Sequence, residues 1–518
     1  MEISIINWLL SAAPIILFLI VMLGFKWGGS KAGALSWLIT VFIAVIFFGA
    51  GFELIGYTYI KAFLLSIDVL LIIWTAMFLY ILTEQAGTIK IIGEWLSLLT
   101  QNRALKGIFL GWLFPSFLQG MGGFGVPVAV AAPLLVSTGF TPIQALVMAS
   151  IGHAWGVTFG SMASSFQTMM AITNLPGEIL APAVAVLLGI AAIVSGILVT
   201  YIADGIKGIK STFFLTLLLG VVLGGGQYLL ATNGLYILAV TIPALAALII
   251  SYLLISRRNK GKTTNITSNK KILISMLPYV ILVVMTLAFN LITPIKSTLG
   301  KYFLTLKFPE ITTSLGDIIA SGPGRDIKLL NHPGTIIFLS GLISFFVFTK
   351  AGFLQNKDFK TILKKTAKKS TDTTIAIFTM VGIAVIMSHT QMIGILAEGI
   401  SRAFNQNLFP FVSPFIGAIG AFITGSNNNS NVLFAALQMR TAELLGLSVP
   451  LILAAQSAGG ALGSMMAPAK VILGCATVGL EGKEGEVIGK ILIYGMGLVA
   501  LIGLLTLLFS NLGTFNAG

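Results

Sequence analysis

An all-α polytopic membrane protein, arranged as an inverted repeat with about twelve transmembrane helices and two re-entrant hairpins, is the fold class this sequence predicts. Three observations point to it. The 518 residues are 56% hydrophobic and only 9% charged, where a soluble chain carries about 25% charged residues. Apolar runs long enough to cross a bilayer recur from one end to the other. Parts of the first half then reappear in the second at a nearly constant offset of 304 residues.

The runs fall near 8–25, 33–50, 67–84, 142–170, 179–203, 212–231, 235–255, 272–292, 334–349, 371–398, 448–470 and 488–510. The first follows Glu2 with no Lys or Arg before it, unlike the start of a signal peptide, and reads as a retained span. Two shorter apolar pairs, 104–138 and 408–446, each break in the middle, the first in "QGMGGFGVP" and the second in "TGSNNNSNV" (424–432). Non-helical backbone at membrane depth is tolerated only where protein or a water-filled cavity covers it, so both pairs read as re-entrant helical hairpins. The chain divides into an N-terminal half, 1–205, connecting spans, 206–370, with an external loop at 293–333, and a C-terminal half, 371–518.

The net charge of +14 raises the question of nucleic acid, but the basic residues concentrate in two short loops, which is the mark of topology. Loop 256–271 holds Arg257, Arg258, Lys260, Lys262, Lys270 and Lys271 with no acid, and loop 350–370 holds seven Lys against Asp358 alone. Both are expected in the cytoplasm. Both termini and loop 293–333 then lie outside, the first hairpin enters from the cytoplasmic side and the second from outside. The glycosylation sequon in "TTNITSNKK" would face the cytoplasm, unused. A lone Cys475 excludes an intramolecular disulfide and gives no metal cluster. No cofactor and no nucleic-acid partner are implied; the partners expected are the bilayer and a small solute.

Self-similarity is the most informative feature. "SIDVLLIIWTAMFLY" (66–80) aligns with "STDTTIAIFTMVGIA" (370–384), matching Ser66 with Ser370, Asp68 with Asp372 and Thr75 with Thr379. Glu94/Glu398 and Ser97/Ser401 continue the register, Gly120 meets Gly425, and "HAWGVTFGSMA" (153–163) parallels "QSAGGALGSMM" (456–466). The two copies enter from opposite sides. An inverted repeat with interrupted helices is the signature of a secondary transporter. Half-helix N-termini present free N–H groups and positive dipole ends, which suit an anion. Ser426, Asn427, Asn428, Asn429, Ser430 and Asn431 can satisfy the broken backbone and donate to a carboxylate without carrying a charge into lipid.

At these residues the sequence resembles the L-lactate permease family, through "GMGGFGVPVAVAAPLL" (120–135), "TGSNNNSNVLFAALQ" (424–438), "AAQSAGGALGSMMAPAK" (454–470) and "GCATVGLEGKEGEV" (474–487). These elements span both halves. The resemblance implies proton-coupled uptake of L-lactate, and of glycolate, on an ion-transporter-superfamily-like fold whose paired hairpins hold a carboxylate. One departure is visible: the first hairpin tip is Gly-rich. Bare backbone N–H groups at Gly120, Gly122, Gly123 and Gly125 would have to do there what Asn side chains do in the second.

Other polar groups beside the breaks, Gln119, Ser161, Gln456, Ser457 and Ser464, are candidate substrate ligands. His153, in "SIGHAWG", is a candidate proton carrier, because an intramembrane ionisable group is functional by default and His titrates near neutral pH; a buried neutral His bonded to carbonyls is the plain alternative. His389, near a span end, reads as structural, and His332, in the external loop, as solvated. Asp68 and Asp372 sit near span entrances, where N-caps explain them, with proton coupling as the second reading. Glu94 and Glu398 fall on interfacial helices. Lys470 ends a span and can snorkel, or else serve the carboxylate or the proton. A sodium-coupled carboxylate carrier of the same fold is the alternative function. An intramembrane enzyme lacks a nucleophile–base or metal constellation, and a channel would use rings of like residues from an oligomer instead of an intrachain repeat.

Overall fold

With no water in the bilayer core, backbone N–H and C=O groups must pair within their own segment, and an apolar chain of this kind resolves into helices. A computed structural model describes residues 4–25, 27–123, 125–258, 269–316, 318–319, 321–323 and 327–515. Among them ten helices are long and apolar enough to cross a membrane. The difference from the predicted twelve has two sources. The run 142–170 is two short helices, Pro142–Ala154 and Gly160–Thr173, parted by a turn. The runs 179–203 and 212–231 are two helical arms that count once because they join without a loop in Gly177–Thr232, which folds back where Gly205 takes φ 61° and ψ −153°. Its arms are antiparallel: Gly189 lies against Gly224, and Gln227 donates to Ala185 O at 3.4 Å. Backbones approach this closely only through side chains as small as glycine.

The same succession of elements occurs twice. Phe52–Gln85, the short Thr88–Leu98, a helical hairpin, Pro142–Ala154, Gly160–Thr173 and the helix from Gly177 are followed by Asp358–His389, Met392–Ala403, a second hairpin, Val449–Met466, Pro468–Val478 and Glu484–Asn511. Phe52–Gln85 and Asp358–His389 pack antiparallel, with Lys61 against His389, Trp74 against Thr374 and Gln85 against Lys365. At the repeat offset of 304, Lys61 maps onto Lys365 and Gln85 onto His389. The two end contacts therefore use one pair of positions, as a twofold axis through the crossing requires. Close packing repeats too: a Cβ on Gly152 would strike Gly111 O, and one on Gly459 would strike Pro414 O.

Several expectations need correction. Asp68 and Asp372 lie inside Phe52–Gln85 and Asp358–His389, both of which begin more than three turns earlier than the apolar runs suggest, so neither is an N-cap. Segment 293–333 is not a plain loop. After Thr293–Leu299, three nested antiparallel pairings join Phe303–Leu304 to Ile327–Lys328, Lys307–Phe308 to Gly322–Pro323 and Ile311–Thr312 to Ile318–Ile319. This β-hairpin packs Phe308 and Ile311 with Leu54 and Tyr57 and is tied down by Ser314 N–H on Gly49 O at 3.0 Å. Glu94 and Glu398 do sit on separate short helices, in i,i+4 pairs with Lys90 and Arg402. Residues 259–268, with most of the first basic loop and the sequon, lie outside the described residues.

Candidate functional site

The polar run begins a helix instead of merely breaking one. Phe409–Thr424 stops at Gly425, in the left-handed conformation at φ 72°, a backbone state glycine adopts without a Cβ clash. Ser426 caps the next helix, Asn427–Leu444, its Oγ accepting from Asn429 N–H at 3.5 Å. The Asn side chains therefore occupy the first turn of an 18-residue helix, at its positive dipole end. All of Asn427 to Asn431 are buried.

They meet two other elements. Asn427 Nδ2 donates to Thr158 Oγ1 at 3.1 Å, and Asn431 Nδ2 donates to Ser165 O at 3.0 Å and Ser457 Oγ at 3.1 Å. Ser165 Oγ donates to Asn428 Oδ1 at close range, and Thr158 Oγ1 to Ser457 O at 3.1 Å. Behind them Ser430 Oγ donates to Gly417 O at 2.7 Å, Gln456 Nε2 to Ser430 Oγ at 3.1 Å, and Gln438 Nε2 to Gln456 Oε1 at 3.0 Å. The hairpin tip of the second half is thus read by the Val449–Met466 helix and by the turn between Pro142–Ala154 and Gly160–Thr173 of the first half. Among the described residues, Asn427 Oδ1, Asn428 Nδ2, Asn429 Oδ1 and Asn431 Oδ1 are buried without a protein partner. Each such group costs about 1–3 kcal/mol, so four in one place need a reason beyond packing.

Beside the tip is a cavity of about 290 Å³ lined by Ser426, Asn429, Asp372 and Lys470. Lys470 Nζ donates to Ser464 Oγ at 3.1 Å. The structure brings one cation and one carboxylate of the predicted set to this cavity.

The Gly-rich hairpin is built otherwise. Gly122 N–H bonds Leu118 O at 2.9 Å and Gly123 N–H bonds Ser161 Oγ at 2.8 Å, so two of the expected bare donors are already engaged. A Cβ on Gly120 would collide with the Thr241 backbone, and one on Gly123 would lie 2.8 Å from Gln119 Nε2. Gly125 stands at φ 86°. These glycines serve close approach and a tight turn. Ser161, Met162 and Ala163 follow one another in the left-handed region, at φ 47°, 56° and 61°. Gly463-Ser464-Met465, the identical tripeptide of the second half, lies in the right-handed Val449–Met466 helix.

His153 is buried. Its Nδ1–H donates to Ala149 O at 2.7 Å, and Nε2 has no protein partner among the described residues. His332 is buried too, not solvated. Gly334 N–H donates to its Nδ1 at 3.1 Å, which leaves Nε2–H to donate to Asp68 Oδ1 at 3.0 Å. Asp68 is therefore occupied far from the Asn cluster in sequence and by another element. Sequence reasoning missed Thr158, Ser164, Ser165 and Gln438. Ser164, whose Oγ is 3.5 Å from Asn428 Oδ1, and Ser165 carried a signal, a polar pair one residue after Gly-Ser-Met in an apolar run.

The profile of the L-lactate permease family matches residues 7–513. The chain belongs to that family. Relatives include the L-lactate permease of Streptococcus iniae, 28% identical over 86% of this chain and 93% of that protein. The glycolate permease GlcA of Escherichia coli strain K12 is 27% identical over 96% and 95%, and the L-lactate permease of Bacillus subtilis strain 168 is 27% identical over 84% of each. Among solved structures the YdaH transporter of Alcanivorax borkumensis overlays with a TM-score of 0.48 at 15% identity, covering 90% of this chain and 89% of that one, a likeness too slight to bear on the fold. Family membership and the ten apolar helices make this a multi-pass membrane transporter.

Proposed function

We propose that the protein is a secondary active transporter that takes up L-lactate, together with glycolate and related small 2-hydroxy monocarboxylates, in symport with protons across the plasma membrane. The observation that carries this reading is the buried first turn Asn427–Asn431, with a free amide donor on Asn428, facing Ser165 and Ser457 across the two halves. Neutral donors at a helix N-terminus suit a carboxylate that must also be released. The relatives named for lactate and glycolate supply the substrate class.

Lactate is an anion at neutral pH, and moving one negative charge against an inside-negative potential costs about 2.3 kcal/mol per 100 mV. One proton per lactate removes that cost. His153, with Nε2 unpartnered, is the proton carrier in this reading; Asp372 and Lys470, at the tip cavity, are the other candidates, and Asp68 is the weakest because His332 holds it. The halves 1–205 and 371–518 are the two repeats, the paired helices 104–138 and 408–446 are the re-entrant hairpins, and both termini lie outside.

The test is uptake of labelled L-lactate into vesicles under an imposed pH gradient, with sodium present or absent. Accumulation driven by the pH gradient alone supports the reading; accumulation that needs sodium replaces it with the sodium-coupled alternative. Labelling of single cysteines in 350–370 from outside intact cells would reverse the orientation.

A further inference from the structure

A second cavity, of about 250 Å³, lies further along the Asn427–Leu444 helix than the first. Asn429 lines one cavity and Ala436 and Met439 line the other, which puts them about 10–15 Å apart along the axis. The helix Gly160–Thr173 runs the same way, from Ser165 on Asn428 to Ala171 and Thr173 in the second cavity. This cavity also contains a cation. Lys61 Nζ lies 3.0 Å from His389 Nε2 and over the rings of Tyr57 and Phe308, at 5.7 and 6.0 Å. Among the described residues no carboxylate pairs with it. Thr173, Asn174 and Ser388 add polar atoms to the wall.

The repeat supplies an internal control. Lys365 and Gln85, the same two positions of the other half, also touch, at 2.7 Å, but both are exposed. Fastening the ends of the two crossed helices would be served equally well by that arrangement. What distinguishes Lys61 is enclosure: a half-buried ammonium in a walled cavity, offered, among the described residues, an imidazole and two aromatic faces. Desolvating a cation without a counter-charge is unfavourable, and an anion in the cavity removes that penalty. A volume below the range of about 300–1,000 Å³ typical of drug-sized ligands suits a three-carbon acid.

We propose that the Lys61–His389 cavity is a second binding station for the monocarboxylate, at which Lys61 Nζ and the His389 ring hold the carboxylate before or after its stay at the Asn cluster. This rests on the reading that the protein carries lactate. The path then runs from one cation, Lys61, past uncharged amides to another, Lys470. The amides between impose no charge strong enough to trap the anion.

Equilibrium dialysis of the purified full-length protein against labelled L-lactate tests the station directly, with vesicle uptake run in parallel. The wild type is expected to bind two lactates per chain and Lys61→Gln one, with the KM for uptake raised about tenfold in the variant. Lys61→Arg is expected to restore the second site, and Lys365→Gln to leave both readouts unchanged. Ala436→Phe fills the cavity without touching the cation and should also reduce the count to one, so the result does not hang on Lys61→Gln folding. A wild type that transports lactate but binds only one per chain overturns the second station and leaves the transport reading intact. So does a count of two that survives both Lys61→Gln and Ala436→Phe. A wild type that neither binds nor accumulates lactate removes the transport reading itself, and the station with it.

Discussion

The two hairpins occupy the same place in the order of elements, yet they are finished with different chemistry. The second ends in a turn of amides and hydroxyls that reach out of their own hairpin, to Thr158, Ser165 and Ser457. The first ends in glycines that offer only backbone N–H groups, Gly122 onto Leu118 O of its own hairpin and Gly123 onto Ser161 of the neighbouring helix. The helix after the first hairpin carries an ionisable group, His153; at the aligned position the helix after the second carries Gln456, which stays neutral at any physiological pH. The difference teaches a division of labour: in this reading the second half holds the substrate, and the first half supplies the support, the partner hydroxyls and the proton.

The largest effect that could break this division is on coupling. His153→Gln is expected to abolish lactate accumulation on an imposed pH gradient while sparing lactate–lactate exchange, which needs no net proton movement. A variant that still concentrates lactate would make His153 a structural residue. The next effect is on affinity. In this reading Asn428→Ala removes a hydrogen bond to the carboxylate, worth about 1.5–3 kcal/mol, and Asn431→Ala releases Ser165 and Ser457 beside it, so in either variant the KM for lactate should rise roughly ten- to a hundredfold. Wild-type KM in both variants would reduce the second hairpin to a helix start.

Ser161→Ala sharpens the contrast from the other side. It strands the Gly123 N–H in a buried position, at a cost of about 1–3 kcal/mol, and should lower the thermal midpoint while the KM stays within about twofold. A KM change as large as that of Asn428→Ala would mean that both hairpins bind. The smallest effect is at Ala163, at φ 61°. Ala163→Gly removes a Cβ from a left-handed residue and should stabilise by up to about 1 kcal/mol, a rise of a degree or two in the midpoint.

How much of this was legible in the sequence depends on what kind of force set it. Helix locations follow from apolar length, and the repeat follows from residue identity: Asp68 and Asp372 fall near the middle of paired helices, whereas Gly-Ser-Met opens Gly160–Thr173 in one half and closes Val449–Met466 in the other. Helix ends did not follow. Phe52–Gln85 and Asp358–His389 extend past their apolar runs because they pack on each other and on the β-hairpin, and tertiary contacts of that kind leave no periodicity to read. The Asn run was visible as polar residues at membrane depth. Its partners were not, because Thr158 and Ser165 reach it only through a turn and three left-handed residues that local propensity disfavours. His332 looked solvated because a loop histidine usually is; its burial comes from Asp68, 264 residues away in sequence.

Gly-Ser-Met deserves a last look as one word with two pronunciations. Its Ser and Met are wound left-handed, with the neighbouring Ala163, in one half and right-handed in the other, so their shape is dictated by surroundings and not by their letters. Left-handed residues cost about 1–2 kcal/mol each, which for Ser161, Met162 and Ala163 sums to about 3–6 kcal/mol. One elementary charge gains energy of that order in falling through about 130–260 mV. A membrane potential and this short stretch of backbone therefore hold energies of the same order.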